Sequence, residues 1–143
     1  MINPKKIFVD TSAIIAIFNE KDKYYDEAKN YIYSLVKTKF LLITTNTILI
    51  ETFDFFKRKS SNIELNKICS SIKESSLFSI VYSDETIEKE AFKIFIKYND
   101  QRFSFTDCIS FAFMRLYEID RAFTFDDDFK IFGFKINPEI MPS

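Results

Sequence analysis

Two apolar segments, one near each end of the chain, stop on carboxylates. Lys6-Ile7-Phe8-Val9-Asp10-Thr11-Ser12 ends on one aspartate, and Arg121-Ala122-Phe123-Thr124-Phe125-Asp126-Asp127-Asp128-Phe129 ends on three. An Asp placed where a buried parallel strand gives way to its loop sits at the carboxyl edge of the sheet. That edge is where open α/β sheets put their chemistry. Two such endings in one small domain predict an acidic pocket, the kind of site that holds a divalent cation.

Other carboxylates join by position. Glu51 lies inside a helical stretch, between Ile48 and Phe55 on one stripe. A carboxylate there is costly to bury unless paired or metal-bound; the alternative is a stripe-edge position that reaches water. Asp107 follows Thr106 in the first turn of a helix, where a carboxylate commonly satisfies free N–H groups. Alone it reads as a cap. Asp126, Asp127 and Asp128 repel one another, and strand alternation turns Asp126 and Asp128 to one side and Asp127 to solvent. Strand ends and helix N-termini of a parallel sheet share one edge, so these acids converge. Hard oxygen donors without imidazole favour Mg²⁺ or Mn²⁺ over zinc.

What the chain lacks narrows the chemistry further. It has no histidine, which excludes Ser-His-Asp and Cys-His arrangements, a His-pair ribonuclease and His-ligated zinc. Its single glycine, Gly133, cannot build a Gly-rich phosphate loop. Cys69 and Cys108 are too few for a Cys₄ zinc site and too far apart for a CxxC pair. Catalytic groups must therefore come from Asp, Glu, Lys, Ser, Thr or Tyr.

The elements that position these groups alternate between strand-like and helix-like patterns, which predicts an α/β fold with a mostly parallel sheet of four to five strands. Residues 1–143 read as a single domain with a proper core, given a hydrophobic fraction of 47% and 18 phenylalanines. The predicted strands are Ile7–Val9, Phe40–Thr44, Leu77–Tyr82 and Arg121–Phe125, with a short edge strand at Gly133–Ile136. Thr11 or Ser12 opens a short helix to Phe18. Spacings of Tyr24, Ala28, Tyr31 and Leu35 predict an amphipathic helix over 24–37. Thr45, Asn46 or Thr47 caps a helix to about Lys59. A shorter helix over 62–74 has Ile63, Ile68 and Ile72 as its apolar positions. The next, from Ser83 or Asp84 to about Tyr98, buries Ile87, Ala91, Ile94 and Phe95. The last, from Ser104, carries Ile109, Phe111, Ala112, Phe113 and Leu116 inward. No apolar run approaches the ~20 residues that span a bilayer, and no signal peptide is expected at the N-terminus. Two unpaired cysteines fit a cytoplasmic setting. A net charge of −1 gives no global pull on nucleic acid.

The ordered set of motifs resembles a PIN domain of the kind found in VapC toxins of toxin–antitoxin pairs. The features that carry it are Phe8-Val9-Asp10-Thr11-Ser12, Thr44-Thr45-Asn46-Thr47-Ile48-Leu49-Ile50-Glu51, Ser104-Phe105-Thr106-Asp107, and Thr124-Phe125-Asp126 with Asp128-Phe129. They span nearly the whole chain in the family's order. The resemblance implies a three-layer α/β/α fold and Mg²⁺- or Mn²⁺-dependent endoribonuclease activity. It also implies a homodimer and inhibition by a small cognate antitoxin. Asp10, Glu51, Asp107 and Asp126 would be the catalytic, metal-holding quartet, with Asp128 in support. Thr11, Ser12 and Thr124 would orient ligands or water. Lys57, Arg58, Lys59, Arg102 and Arg115 are candidate RNA contacts, although each such residue is more often a solvated surface charge than a phosphate contact.

Other readings fit less well. A haloacid-dehalogenase-type phosphatase needs a second Asp where Ser12 stands. A receiver domain needs an acidic pair after the first strand and an Asp ending the third, which Ser83 and Asp84 do not match. A PIN nuclease of RNA processing, or a catalytically silent PIN interaction module, remains the alternative within the family.

Overall fold

The computed structural model describes residues 5–139. Five strands form one sheet: β1 (Lys5–Val9), β2 (Phe40–Thr45), β3 (Ser79–Val81), β4 (Arg121–Phe123) and β5 (Lys135–Asn137). All neighbours are parallel, in the order β3-β2-β1-β4-β5. Seven helices connect them: α1 (Thr11–Phe18), α2 (Tyr25–Val36), α3 (Asn46–Lys59), α4 (Asn62–Glu74), α5 (Glu85–Lys97), α6 (Phe105–Leu116) and α7 (Asp128–Phe132). This is the α/β fold expected from the sequence, with every strand parallel.

The strand order fixes the location of the site. From β1 the chain steps outward to β2 and β3, then returns across the sheet to β4 and β5. Right-handed crossovers put the helices of these two halves on opposite faces. Packing agrees: Phe8 turns towards Phe113 of α6 and Phe129 of α7, while Phe123 meets Tyr31 of α2 on the other face. The progression therefore reverses between β1 and β4, and the crevice outside their carboxyl ends is the place where open α/β sheets bind ligands.

The central strands are apolar on both faces because helices cover both. Ile7, Phe8 and Val9 are fully buried, as are Ala122 and Phe123. Under β4 and β5 the core is aromatic: Phe111 stacks on Phe132 at 4.3 Å and meets Phe103 edge-on at 5.0 Å. Each such ring is worth roughly 1.5–3 kcal/mol of burial. Such packing holds the strand ends rigid beneath the carboxylates.

Several expectations are corrected. Ile63, Phe95 and Leu116 are exposed, at the rims of their helical stripes. Ladder pairing limits β3 to Ser79–Val81 and stops β4 at Phe123, two residues earlier than expected. The edge strand is Lys135–Asn137 rather than 133–136. The acidic run after β4 opens a helix, α7, that periodicity did not show because it has only five residues. Gly133 ends that helix at φ +123°, a conformation other residues rarely adopt.

Candidate metal centre

Asp10 is the first residue beyond β1 and the N-cap of α1. Its backbone N–H donates to the Phe123 carbonyl at 3.0 Å, which extends the β1–β4 ladder by one step. Its side chain is 5% exposed and its Oδ2 accepts from two hydroxyls, Thr124 at 2.8 Å and Ser12 at 3.2 Å. The same hydroxyls hold the β4 end in place. Ser12 Oγ accepts from the Phe125 N–H at 2.9 Å, and Thr124 Oγ1 accepts from the Asp126 N–H at 3.0 Å. Thr124 thus joins two of the expected site residues through one oxygen. On the neighbouring strand, Thr44 Oγ1 donates to the Val9 carbonyl at 2.8 Å.

Asp126 accepts from the N–H of Asp128 at 3.0 Å, so the chain turns there instead of continuing as a strand. The turn brings Asp126 and Asp128 to one side, and Asp127 is exposed. The side of each residue matches the alternation argument, but its cause is a turn.

Asp107 arrives from the start of α6 through a reciprocal cap. Ser104 Oγ accepts from the Asp107 N–H, and Asp107 Oδ2 accepts from the Ser104 N–H, each at 3.0 Å. This arrangement commits one carboxylate oxygen and fixes the direction of the other. Ser104 was not singled out by its chemistry in the sequence, yet the spacing Ser-x-x-acid ahead of an apolar run is the signature of such a box.

The three carboxylates of Asp107, Asp126 and Asp128 each offer an oxygen within 4.8 Å of the other two. Asp10 and Glu51 stand outside that triangle. Glu51, half-buried on the second turn of α3, accepts a short hydrogen bond from Thr11 Oγ1. Asp10 is linked to the triangle by charge. Burial pushes its pKa up to about 7 against the pull of the Thr124 hydroxyl, and the charges of Asp107 and Asp126 raise it further. Burial likewise pushes Asp107 up to about 6, again with Asp126 adding to the rise, and Asp128 moves upward for the same reasons. Crowded acids that resist ionisation mark a place where positive charge is wanted. The donor set is all oxygen and part-buried, which fits a hard divalent cation. Cys108 contributes nothing here: its thiol is buried and pushed up to about 11.

The candidate RNA-contacting cations are scattered. Lys57, Arg58 and Lys59 occupy the last turn of α3. That helix starts at the carboxyl edge and runs back along the sheet for roughly 20 Å, so its basic end lies away from the acids. Arg115, in the last turn of α6, has its guanidinium 4.4 Å from the ring centre of Phe132, a packing role at the far end of that helix. Arg102 is exposed and two residues from the Ser104 cap, which leaves it near the acidic edge. No helix of the described residues is long and apolar enough to cross a membrane.

A family model described as "PIN domain" matches residues 7–135. The chain is 30% identical over 134 residues to the protein named "23S rRNA-specific endonuclease VapC20" of Mycobacterium tuberculosis, covering 93% of this chain and 99% of that one. The crystal structure of VapC20, described as a sarcin-ricin loop cleaving toxin, superposes with a TM-score of 0.79 at 30% identity, over 90% of this chain and 95% of that chain. VapBC2 of Rickettsia felis, solved with a DNA fragment from its promoter, shares the fold at a TM-score of 0.72 with 10% identity, over 92% of this chain and 97% of that chain.

Proposed function

The chain belongs to the PIN-domain family, and from that membership and the carboxylate geometry we propose that it is a divalent-metal-dependent endoribonuclease, the toxin of a toxin–antitoxin pair. The observation that carries the reading is the triangle of Asp107, Asp126 and Asp128, set at the switch point of the sheet beside buried Asp10.

In this reading Asp107, Asp126 and Asp128 would hold Mg²⁺ or Mn²⁺, with Asp10 nearby and sensing their charge. The bound cation supplies Lewis acidity towards a phosphodiester oxygen and lowers the pKa of water. The chain's own residues do the remaining work. Thr124 and Ser12 fix the Asp10 carboxylate by donating their hydroxyls to its Oδ2. Ser104 fixes Asp107. Thr11 holds Glu51 by a hydrogen bond, and the role proposed for that carboxylate is to orient the attacking water or to ligate a second ion. No imidazole is available, so carboxylates carry the proton transfers. The clustered acids repel RNA until a cation neutralises them, which makes substrate binding as metal-dependent as hydrolysis.

The substrate class follows from VapC20, whose name specifies 23S rRNA; a structured RNA is the corresponding proposal here. A small antitoxin chain, a homodimer and a cytoplasmic setting complete the proposal. The test is incubation of the purified protein with total RNA and Mg²⁺ or Mn²⁺, alongside EDTA and Asp10→Asn controls. Discrete fragments that need both metal and Asp10 are the expected result. Metal binding without any cleavage would remove the nuclease reading.

A further inference from the structure

The sheet repeats its charge problem at the opposite edge, with the sign reversed. Arg121 and Lys135 open β4 and β5 and are register partners on these parallel strands. Their side chains therefore leave the same face of the sheet, from backbones roughly 4.8 Å apart. Like charges set directly opposite are destabilising, and neither residue pairs with a carboxylate of the described residues. Lys5 and Lys6 open β1, on the other side of β4, and likewise make no ion pair among the described residues.

These four cations line one cleft of about 490 Å³, within the roughly 300–1,000 Å³ of small-molecule sites. Two acids, Glu118 and Asp120, share its wall, which leaves positive charge in excess. The backbone fixes both acids: the Glu118 N–H donates to the Arg115 carbonyl at 3.2 Å, and the Asp120 carbonyl accepts from the Lys135 N–H at 3.0 Å. Arg121 is half-buried. Its charge reaches the Tyr31 hydroxyl, opposing the upward push that burial gives that phenol.

Positive charge held in register, inside a cavity and without a counter-charge, is the complement of an anion. A guanidinium grips phosphate through paired N–H donors, and lysines add point charges. The row crosses three neighbouring strands, β1, β4 and β5, a width of roughly 10 Å. A single phosphate meets only part of that row, whereas two or three linked phosphates follow it. Glu118 and Asp120 in the same wall repel a polyanion that extends beyond the cations. We propose that this cleft binds a short free oligophosphate, either inorganic or the phosphate tail of a nucleotide, which neutralises Arg121 and Lys135 together. The site is separate from the acidic edge and stands whether or not the chain cuts RNA.

Calorimetric titration of the metal-free full chain with sodium triphosphate tests this, with orthophosphate, sulfate and a uridine tetranucleotide compared at one ionic strength. Triphosphate should bind saturably, one per chain, at least about tenfold more tightly than orthophosphate or sulfate. Lys135→Gln and, separately, Arg121→Gln should each weaken it by roughly tenfold. Lys57→Gln, which changes a cation outside the cleft, should leave it unchanged. Lys135 is exposed, so its variant keeps the test valid if Arg121→Gln fails to fold. The register pair gives a second readout. Without ligand, Lys135→Gln should melt at or above the wild-type temperature, because a repulsion is gone; in saturating triphosphate the order reverses. Triphosphate bound no more tightly than sulfate, or weakened equally by Lys57→Gln, overturns the site. Lys135-dependent binding of the tetranucleotide but not of triphosphate would make the cleft an RNA contact and overturn it too.

Discussion

The two edges of the sheet make opposite uses of charge. At the carboxyl edge, Asp10, Asp107, Asp126 and Asp128 crowd together, wholly or partly buried, and burial together with neighbouring charge raises the pKa of Asp10, Asp107 and Asp128. At the amino edge, Lys5 and Lys6 open β1, Arg121 opens β4 and Lys135 opens β5, while Lys57, Arg58 and Lys59 close α3. Helix dipoles favour this polarity, acids at N-termini and cations at C-termini. A dipole alone accounts for capping carboxylates in solvent. It does not account for burying several like charges within ligand distance of each other, and that excess separates a site from ordinary helix termini.

The comparison breaks most sharply where the triangle is opened. Asp126→Asn removes one charge from the cluster and leaves the turn acceptor for the Asp128 N–H in place. The expected loss of metal-dependent RNA cleavage is roughly 100-fold or more, with a matching loss of Mn²⁺ binding by calorimetry and an unchanged circular dichroism spectrum. Wild-type cleavage in this variant would make the triangle an ordinary set of helix-terminal acids.

Next in size is the hydroxyl that joins the two strand ends. Thr124→Val keeps the shape but takes the donor from Asp10 and the acceptor from the Asp126 N–H. Groups that orient metal ligands cost about 10–100-fold in affinity or activity when removed. Steady-state cleavage and Mn²⁺ titration should fall together within that range; a loss of stability with unchanged metal affinity would assign Thr124 to the fold alone.

The acidic edge also predicts an unusual stability profile. A carboxyl whose folded pKa lies above its unfolded value near 3.8 binds protons more tightly in the native state. Its contribution is fully present below about pH 4 and is lost as pH rises through about 7 for Asp10 and about 6 for Asp107. The metal-free protein should therefore lose melting temperature between pH 5 and pH 8, by several degrees. Protons and metal compete for the same oxygens, so the rise in Tm on adding Mg²⁺ should grow over that interval. Metal-free Asp10→Asn should flatten the profile. A metal-induced shift that is equal at both pH values would disconnect the raised acids from the cation.

Most of this architecture was legible in the chain because its signals are local. Strand β1, the Thr45 cap and the Ser104 start of α6 each rest on patterns within a few residues. Glu51 and the three aspartates could be placed on one edge because parallel topology leaves strand ends and helix starts nowhere else to go. What the sequence hid depends on distant partners. The resemblance marked Thr124 as a residue that orients ligands or water, but not that its partner would be Asp10, more than a hundred positions away. Helix α7 is too short for periodicity, so its acidic start passed for the end of a strand. Ile63, Phe95 and Leu116 sit at stripe edges, where spacing cannot tell rim from core.

The amino edge supplies the smallest predicted effect and the control for the rest. Lys57, Arg58 and Lys59 are exposed in the last turn of α3 and make no ion pair among the described residues. Their charges suit the helix C-terminus, and at physiological salt a cation roughly 20 Å from the acids is beyond the ~8 Å screening length. Replacing all three with Gln should change stability by about 1 kcal/mol or less, since each loses only a dipole contact worth a few tenths. RNA cleavage should keep its kcat, with KM moving less than about twofold. The same substitution should leave Mn²⁺ affinity untouched, because nothing in the triangle feels those charges. A large rise in KM with an unchanged Mn²⁺ affinity would place RNA across the amino edge as well, and the two edges would then be parts of one substrate path.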